Sequence, residues 1–378
     1  MASRGRRIKV ALFWPTLGMG GVERRMLTTA NGLAEAGFDV EVVVADASGS
    51  LRDEIPPGVR LVDLRHPIGG GRLMLALFPL RRYLSRARPD VVMSAMTQAN
   101  LLALAARGLS GTRTRVIVSE RVALNFHRSV RSAIYVGALR WAMKALYRRA
   151  DAIVCVSQGI ADELRALLGE RVAASIRVIA NPVVSKSLLR KAQSGVDHPW
   201  FVEGAPPVIV SVGRLNRQKG FDTLIGAFAT LRARMPVRLL IIGEGPERAS
   251  LQQLIGSLKL EEDVQLMGED ANPYRFMSRA ALFVLSSRYE GFPGVLVEAI
   301  ACGAPVVSTD CPTGPREILA DGVYGRLVPV DDAAGLAAAI ESTLERPPER
   351  RQLVERGLEF SEERAIAAYV ELMESVLS

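Results

Sequence analysis

Cysteine and histidine are scarce, with three of each in 378 residues. So few cysteines exclude a disulfide scaffold and fit a reducing compartment. Cys155, Cys302 and Cys311 lack metal-ligand spacing, and His66, His127 and His198 are the only histidines, so no zinc site or other metal site is expected. Aromatics make up 6%, too few and too scattered for a base-stacking platform. Long apolar runs are missing too. The longest uncharged stretch, Val91 to Ala106, is broken by Ser94, Thr97, Gln98 and Asn100. It falls short of the roughly 20 apolar residues that cross a bilayer, so no spanning segment is expected. Residues 1–14 start basic and turn apolar, but the apolar run is short and leads into a glycine loop; it reads as a first strand rather than a leader.

What is present is globular: 49% hydrophobic and 23% charged residues, in a chain long enough for two or more domains. Net charge is +8, unevenly spread. Residues 1–185 hold 27 Lys and Arg against 14 Asp and Glu, and the remainder holds 21 against 26. A strongly basic first half suggests a polyanionic partner. Two segments favour an anionic membrane surface over nucleic acid. Arg81, Arg82, Arg86 and Arg88 follow Leu73, Leu75, Leu77 and Phe78. Arg128, Arg131, Arg140, Lys144, Arg148 and Arg149 share a stretch with Ile134, Tyr135, Leu139, Trp141 and Leu146. Cations beside bulky apolar side chains suit an interfacial helix; a solvated helix face is the alternative for each.

Apolar, β-branched runs alternate with helical patterns throughout, which predicts parallel sheets covered on both faces. Strands are expected at 8–13, 40–44, 91–93, 116–118, 153–156 and 176–179, then at 208–212, 238–242, 264–266, 282–285, 305–308 and 326–328. The stretch 185–207 is polar and rich in Gly and Pro, and reads as a linker. The fold class is therefore α/β, with two doubly wound Rossmann-like domains at 1–184 and 208–361 and a tail helix at 362–378. Such sheets bind ligands at the carboxyl ends of their strands, so a central cleft between the two domains is the expected site.

Chemistry concentrates in strand-end loops. Gly18-Met19-Gly20-Gly21 follows the first strand but lacks the third glycine of a dinucleotide fingerprint; it fits a tight turn as well as a phosphate contact. Gly213 and Arg214 follow the strand at 208–212, and Lys219 precedes the next helix; a guanidinium fork and an ammonium there can clamp a diphosphate. Gly243-Glu244-Gly245-Pro246 makes a turn into a helix. In Glu290-Gly291-Phe292-Pro293-Gly294-Val295-Leu296-Val297-Glu298, two carboxylates flank a Gly/Pro turn that opens a helix. The amides there suit an anion, and a carboxylate suits a ribose diol. Cys311 to Glu317 forms a rigid loop with an inert thiol.

These motifs resemble glycosyltransferase family 4, retaining enzymes of GT-B fold, and the likeness runs from Gly20–Arg24 to Phe360–Arg364. The resemblance implies that Arg214 and Lys219 hold the donor's diphosphate, that Glu298 binds the nucleotide ribose, and that Glu290 with Gly291 and Phe292 holds the donor sugar. Gly20, Gly21, Gly213, Glu244, Gly294, Val295 and Leu296 complete the donor-binding set, and Arg214, Lys219 and Glu290 are the catalytic candidates. Many relatives carry a histidine beside the donor sugar; here the place reads Ser119-Glu120-Arg121, as in a subgroup that builds bacterial polysaccharides and lipid-linked oligosaccharides. His127 is not expected to replace that histidine. Glu120, Arg121, Thr97 and Asn100 are candidate acceptor or donor-sugar contacts.

The implied reaction moves a sugar from a nucleotide-sugar, UDP-sugar first and GDP-mannose second, to a lipid-linked or polysaccharide acceptor. It would do so on the cytosolic face of the inner membrane, with no nucleic-acid partner. No Asp-x-Asp occurs, so the two cations take a metal's electrostatic role and no cofactor is expected. The rival readings are a sugar-nucleotide epimerase of the same shape, a basic nucleic-acid-binding protein, and a non-catalytic sugar-nucleotide binder.

Overall fold

The computed structural model describes residues 6–18, 20–66, 69–122 and 133–378. The chain divides into two compact units, Met1–Pro182 with Glu362–Ser378, and Val183–Ser361.

The first unit holds strands β1 (Lys9–Thr16), β2 (Asp39–Asp46), β3 (Arg60–Asp63), β4 (Val91–Ala95), β5 (Arg115–Glu120), β6 (Ala152–Cys155) and β7 (Ile176–Val178). They form one sheet in the order β3-β2-β1-β4-β5-β6-β7, every pair parallel. Strand order reverses between β1 and β4, as in a doubly wound sheet. Continuous Val, Ile, Leu and Phe runs form these strands because both faces are covered. On one face, Val10, Leu12, Trp14, Val42 and Val44 pack with Met26, Leu27 and Leu33 of helix Gly21–Glu35. Tyr369, Leu372 and Met373 of helix Glu362–Leu377 complete that cluster, so the tail helix is part of the first unit. Helix Thr97–Ser110 contacts both Leu77–Ala87 and Ala133–Leu146, and the three form one layer.

The second unit repeats the plan with β8 (Val208–Val212), β9 (Arg238–Ile242), β10 (Val264–Gly268), β11 (Leu282–Leu285), β12 (Val306–Thr309) and β13 (Arg326–Val328). The order is β10-β9-β8-β11-β12-β13, again all parallel, with the reversal between β8 and β11. Its core joins Ile209, Leu239, Ile241, Leu282 and Val284 to Leu224, Phe228, Leu336 and Ile340 of flanking helices.

The stretch 185–207 differs from the linker its composition predicts. Helix Lys186–Ala192, capped by the Ser185 hydroxyl on the Leu188 amide at 2.9 Å, packs on helix Tyr274–Met277. His198 bonds Gln265 at 3.1 Å, and Arg238 stacks over Trp200 at 5.1 Å. Polar residues there serve as caps and stacking partners, so composition alone mistakes a docked segment for a free one. The strand Val184 makes is a parallel bridge to Ser361, and the Val183 and Val184 amides both donate to the Phe360 carbonyl at 3.1 Å.

Candidate active site

The second unit's site grows from the carboxyl ends of β8 and β11, the strands where order reverses. Asn216 caps the short turn Arg217–Lys219, its side chain accepting from the Lys219 amide at 3.3 Å. Gly220 follows with φ +61°, and a Cβ there would stand 2.2 Å from the Ser286 carbonyl oxygen. Only glycine allows this approach of the β8 loop to the end of β11. The two loops are then laced together. Ser286 Oγ donates to the Lys219 carbonyl at 2.8 Å, the Arg288 amide to Gln218 O at 2.8 Å, and Gln218 Nε2 to Tyr289 O at 3.0 Å. The Arg288 guanidinium adds bonds to Asp222, Asp331 and the Arg217 carbonyl.

This lacing places Lys219 on Glu290. Lys219 Nζ stands 2.6 Å from Glu290 Oε1, with side-chain exposures of 17% and 9%. The same carboxylate accepts from Ser287 Oγ at 2.7 Å. The lysine stem lies over Gly213, where a Cβ would meet Lys219 Cε at 3.2 Å. Arg214, next in sequence, is exposed and held by no ion pair among the described residues. Lys219 is thus already balanced by one carboxylate, while Arg214 and Arg217 of the loop are exposed and make no ion pair among the described residues.

The Glu290–Glu298 segment is held from behind. Thr313 Oγ1 donates to the Glu290 carbonyl at 2.6 Å, and Thr313 itself sits at φ +64°. A β-branched residue in that region stores on the order of 1–3 kcal/mol of strain and persists only where neighbours hold it. Gly314 (φ +94°) adjoins it, and a Cβ there would be 2.4 Å from Pro293 Cδ. Phe292 is buried against Phe360, ring centroids 5.6 Å apart, so only its backbone faces outward. The amides of Gly291, Phe292, Gly294 and Val295 donate to no backbone carbonyl among the described residues, and those at the start of helix Gly294–Ala301 carry the positive end of its dipole. Leu296 differs from expectation: its amide donates to Pro293 O at 3.0 Å and its side chain is buried, leaving neither for a ligand. Glu298 is half-buried one turn into that helix. Burial, with the nearby Glu290 charge adding to it, pushes the Cys311 thiol up to about 12, which keeps it protonated and unreactive.

Glu244 lies on the neighbouring loop and takes Arg248 as its partner at 2.7 Å. Gly243 and Gly245 serve close backbone approach: a Cβ on either would stand 2.0 Å and 2.3 Å from the carbonyl oxygens of Gly213 and Leu215.

In the first unit, Gly20 precedes helix Gly21–Glu35, and the Glu23 side chain folds back over it, its Oε2 2.1 Å from where a Gly20 Cβ would be. Burial raises the Glu23 carboxyl. Gly21 has open space about it.

Thr97, Asn100, Glu120 and Arg121, the candidate acceptor or donor-sugar contacts, come together in one buried polar cluster of the first unit. All four are buried, Glu120 at 1% exposure and Arg121 at 4%. Thr97 Oγ1 and Asn100 Nδ2 both donate to Glu120 at 2.9 Å, and the Tyr147 hydroxyl donates to it as well. Ser94 Oγ completes the cluster on Asn100 Oδ1 at 2.7 Å. Burial lifts the Glu120 carboxyl above its ordinary range against the pull of these donors. Arg121 reaches Asn181 Oδ1 at 2.8 Å and the Tyr369 hydroxyl at 3.2 Å, pinning the tail helix. Thr97, Asn100 and Glu120 bond to one another, whereas Arg121 Nε is buried with no hydrogen-bond partner among the described residues. His127, Arg128 and Arg131 lie outside the described residues.

Sequence reasoning missed Ser287, Gln218, Arg288 and Thr313. Gln218 and Arg288 act between loops about 70 residues apart, and Thr313 reaches the Glu290 carbonyl across 23 residues, contacts that no local spacing announces; Ser287 bonds Glu290 from three residues away.

Two family patterns match the chain: "Glycosyltransferase Family 4" over residues 19–186 and "Glycosyl transferases group 1" over 199–360. The chain is 31% identical over 362 residues to the lipopolysaccharide core biosynthesis glycosyltransferase LpsE of Rhizobium meliloti, covering 94% of this chain and 96% of that protein. It is 29% identical over 350 residues to the N-acetylgalactosamine-N,N'-diacetylbacillosaminyl-diphospho-undecaprenol 4-alpha-N-acetylgalactosaminyltransferase of Campylobacter jejuni, with 89% and 90% covered. Among solved structures it is similar to HepE of Anabaena in complex with UDP, with a TM-score of 0.78 at 20% identity and 97% and 100% covered. With its two Rossmann-like units, the chain is a glycosyltransferase of GT-B fold and belongs to glycosyltransferase family 4.

Proposed function

We propose that this enzyme transfers a sugar, with retention at the anomeric carbon, from a nucleoside-diphosphate sugar to a lipid-linked or polysaccharide acceptor in cell-envelope glycan synthesis. UDP-sugars are the first expectation and GDP-mannose the second. The observation that carries this reading is the laced pair of loops at the β8/β11 reversal, where a free guanidinium, an oriented ammonium and unpaired helix-start amides share one strand edge. Donors of that kind suit a diphosphate. The UDP complex of HepE supports a uridine donor. The names of LpsE and the Campylobacter transferase support an envelope glycan and a diphospho-polyprenol-type acceptor.

In this reading Arg214 and Lys219 bind the donor's diphosphate, the amides of Gly291, Phe292, Gly294 and Val295 add neutral donors, and Glu298 accepts from the ribose hydroxyls. Glu290 orients Lys219 and accepts from the donor sugar. The bond from the anomeric carbon to the phosphate oxygen breaks as negative charge grows on the leaving diphosphate, which the fixed cations stabilise. The acceptor oxygen bonds the same face, and its proton passes to the leaving phosphate oxygen. No enzyme nucleophile and no cofactor enter this scheme. Its place is the cytosolic membrane face; among the described residues no helix is long and apolar enough to cross a bilayer.

A thermal-shift screen of nucleotide sugars tests the donor, because a binder raises the melting temperature with the logarithm of its concentration over Kd. The anomeric configuration of the product, read by NMR, tests retention; an inverted product overturns it.

A further inference from the structure

Among the described residues, six of the eleven large exposed apolar side chains cluster, while Val178, Val202, Leu258, Val323 and Leu358 stand apart from them. Met74, Leu75, Phe78, Leu109, Ile134 and Trp141 all stand on one helical layer of the first unit, between 55% and 87% exposed. The layer is continuous. Helix Thr97–Ser110 contacts the segment 69–76 and both flanking helices. Arg81 Nε donates to Leu109 O at 2.8 Å on one side, and Gln98 Nε2 meets the Tyr135 hydroxyl at 2.5 Å on the other.

Each flanking helix divides cleanly. Leu80 and Leu84, and Val136, Leu139 and Met143, point into the core. Phe78, Arg82 and Arg86 follow one another at four-residue steps on the outer face, and Ile134, Trp141 and Arg148 at seven-residue steps. Residues 69–89 hold five arginines and residues 133–150 hold four Lys or Arg, and neither stretch holds an Asp or Glu. Arg82, Arg86 and Lys144 are exposed and make no ion pair among the described residues.

We infer that this layer docks the first unit on an anionic phospholipid surface. An exposed aromatic stripe rimmed by unneutralised cations is the combination that binds such an interface. A surface of one charge sign does not fit a second copy of itself, since like charges would face each other across the contact. Location adds purpose. Gln98 lies in the first turn of the helix that leaves β4, and its bond holds the Tyr135 hydroxyl near the carboxyl edge of the first sheet. That edge is where such sheets take ligands, so a docked layer brings a lipid-borne acceptor to the ligand-binding edge. This deepens the lipid-acceptor reading, and its test needs no sugar donor, so the two can fail separately.

The test is co-sedimentation with phosphatidylcholine vesicles with and without phosphatidylglycerol. Binding is expected only with the anionic lipid and should fall steeply with salt. The Arg82→Ala/Lys144→Ala variant should bind about 25-fold more weakly, at roughly fivefold per cation. Phe78→Ser/Trp141→Ser should lose binding while keeping the wild-type melting temperature. Equal binding to both vesicle types, or full binding by either folded variant, overturns the inference. So does a dimer in light scattering that the Phe78/Trp141 variant dissolves, or a preference for a DNA duplex over the vesicles.

Discussion

The ion pair between Lys219 and Glu290 gives a prediction that can be worked through. The charges are in contact at 2.6 Å with little solvent about them. At an effective dielectric near 20, unit charges roughly 3 Å apart attract by about 5–6 kcal/mol. Desolvating both groups takes back much of that. Among the described residues Glu290 keeps only Ser287 as a second side-chain donor, so removing the lysine leaves a carboxylate in a poor solvent. Lys219→Met should therefore destabilise the protein by about 2–4 kcal/mol, and Glu290→Gln by somewhat less, because the amide still accepts from Ser287. The double variant should recover about 2–3 kcal/mol relative to the sum of the singles. Urea unfolding of the four proteins measures this cycle, and turnover on the same set reports the donor site. Additivity within about 0.5 kcal/mol would refute the coupling. Wild-type turnover in Lys219→Met would show that the pair is structural only.

Other expectations are simpler. Gly220→Ala should cost more than the roughly 1–2 kcal/mol of a left-handed alanine, because its Cβ meets the Ser286 carbonyl at 2.2 Å; a melting curve matching wild type would show that the loops are not tied there. Glu120 takes up its proton more readily folded than unfolded, so its contribution is fully present below about pH 4.5 and fades as pH rises through the folded value. The stability gap between wild type and Glu120→Gln should thus narrow with rising pH, and a gap that widens contradicts the burial argument. Transfer should persist in EDTA; abolition reversed by a divalent ion would contradict the cation clamp.

Much of this architecture was legible because parallel strands buried on both faces are continuous apolar runs. Val208–Val212, Arg238–Ile242 and Leu282–Leu285 fall where such runs predict them. β3 did not, since Arg60–Asp63 is an edge strand with exposed or half-buried residues and no such run. Helix Arg350–Leu358 was also unreadable: it buries only Leu353 and Gly357, too little for an apolar period. In the site, the loops bearing Arg214, Lys219, Glu290 and Glu298 stood out by strand-end position. The lacing by Ser286, Gln218, Arg288 and Thr313 did not, because carbonyls and hydroxyls meet only after folding. Thr97, Asn100, Glu120 and Arg121 show the converse: a polar motif at a strand end gives no sign in the sequence that it folds into a buried network.

Titration calorimetry of UDP into the wild type and Arg214→Ala tests the diphosphate clamp most directly. Arg214 is exposed and makes no ion pair among the described residues, so its removal should leave the melting temperature unchanged. It should weaken UDP binding by at least about tenfold, the worth of a charge-assisted contact of about 1.5–3 kcal/mol. An unchanged Kd in the folded variant would contradict the clamp.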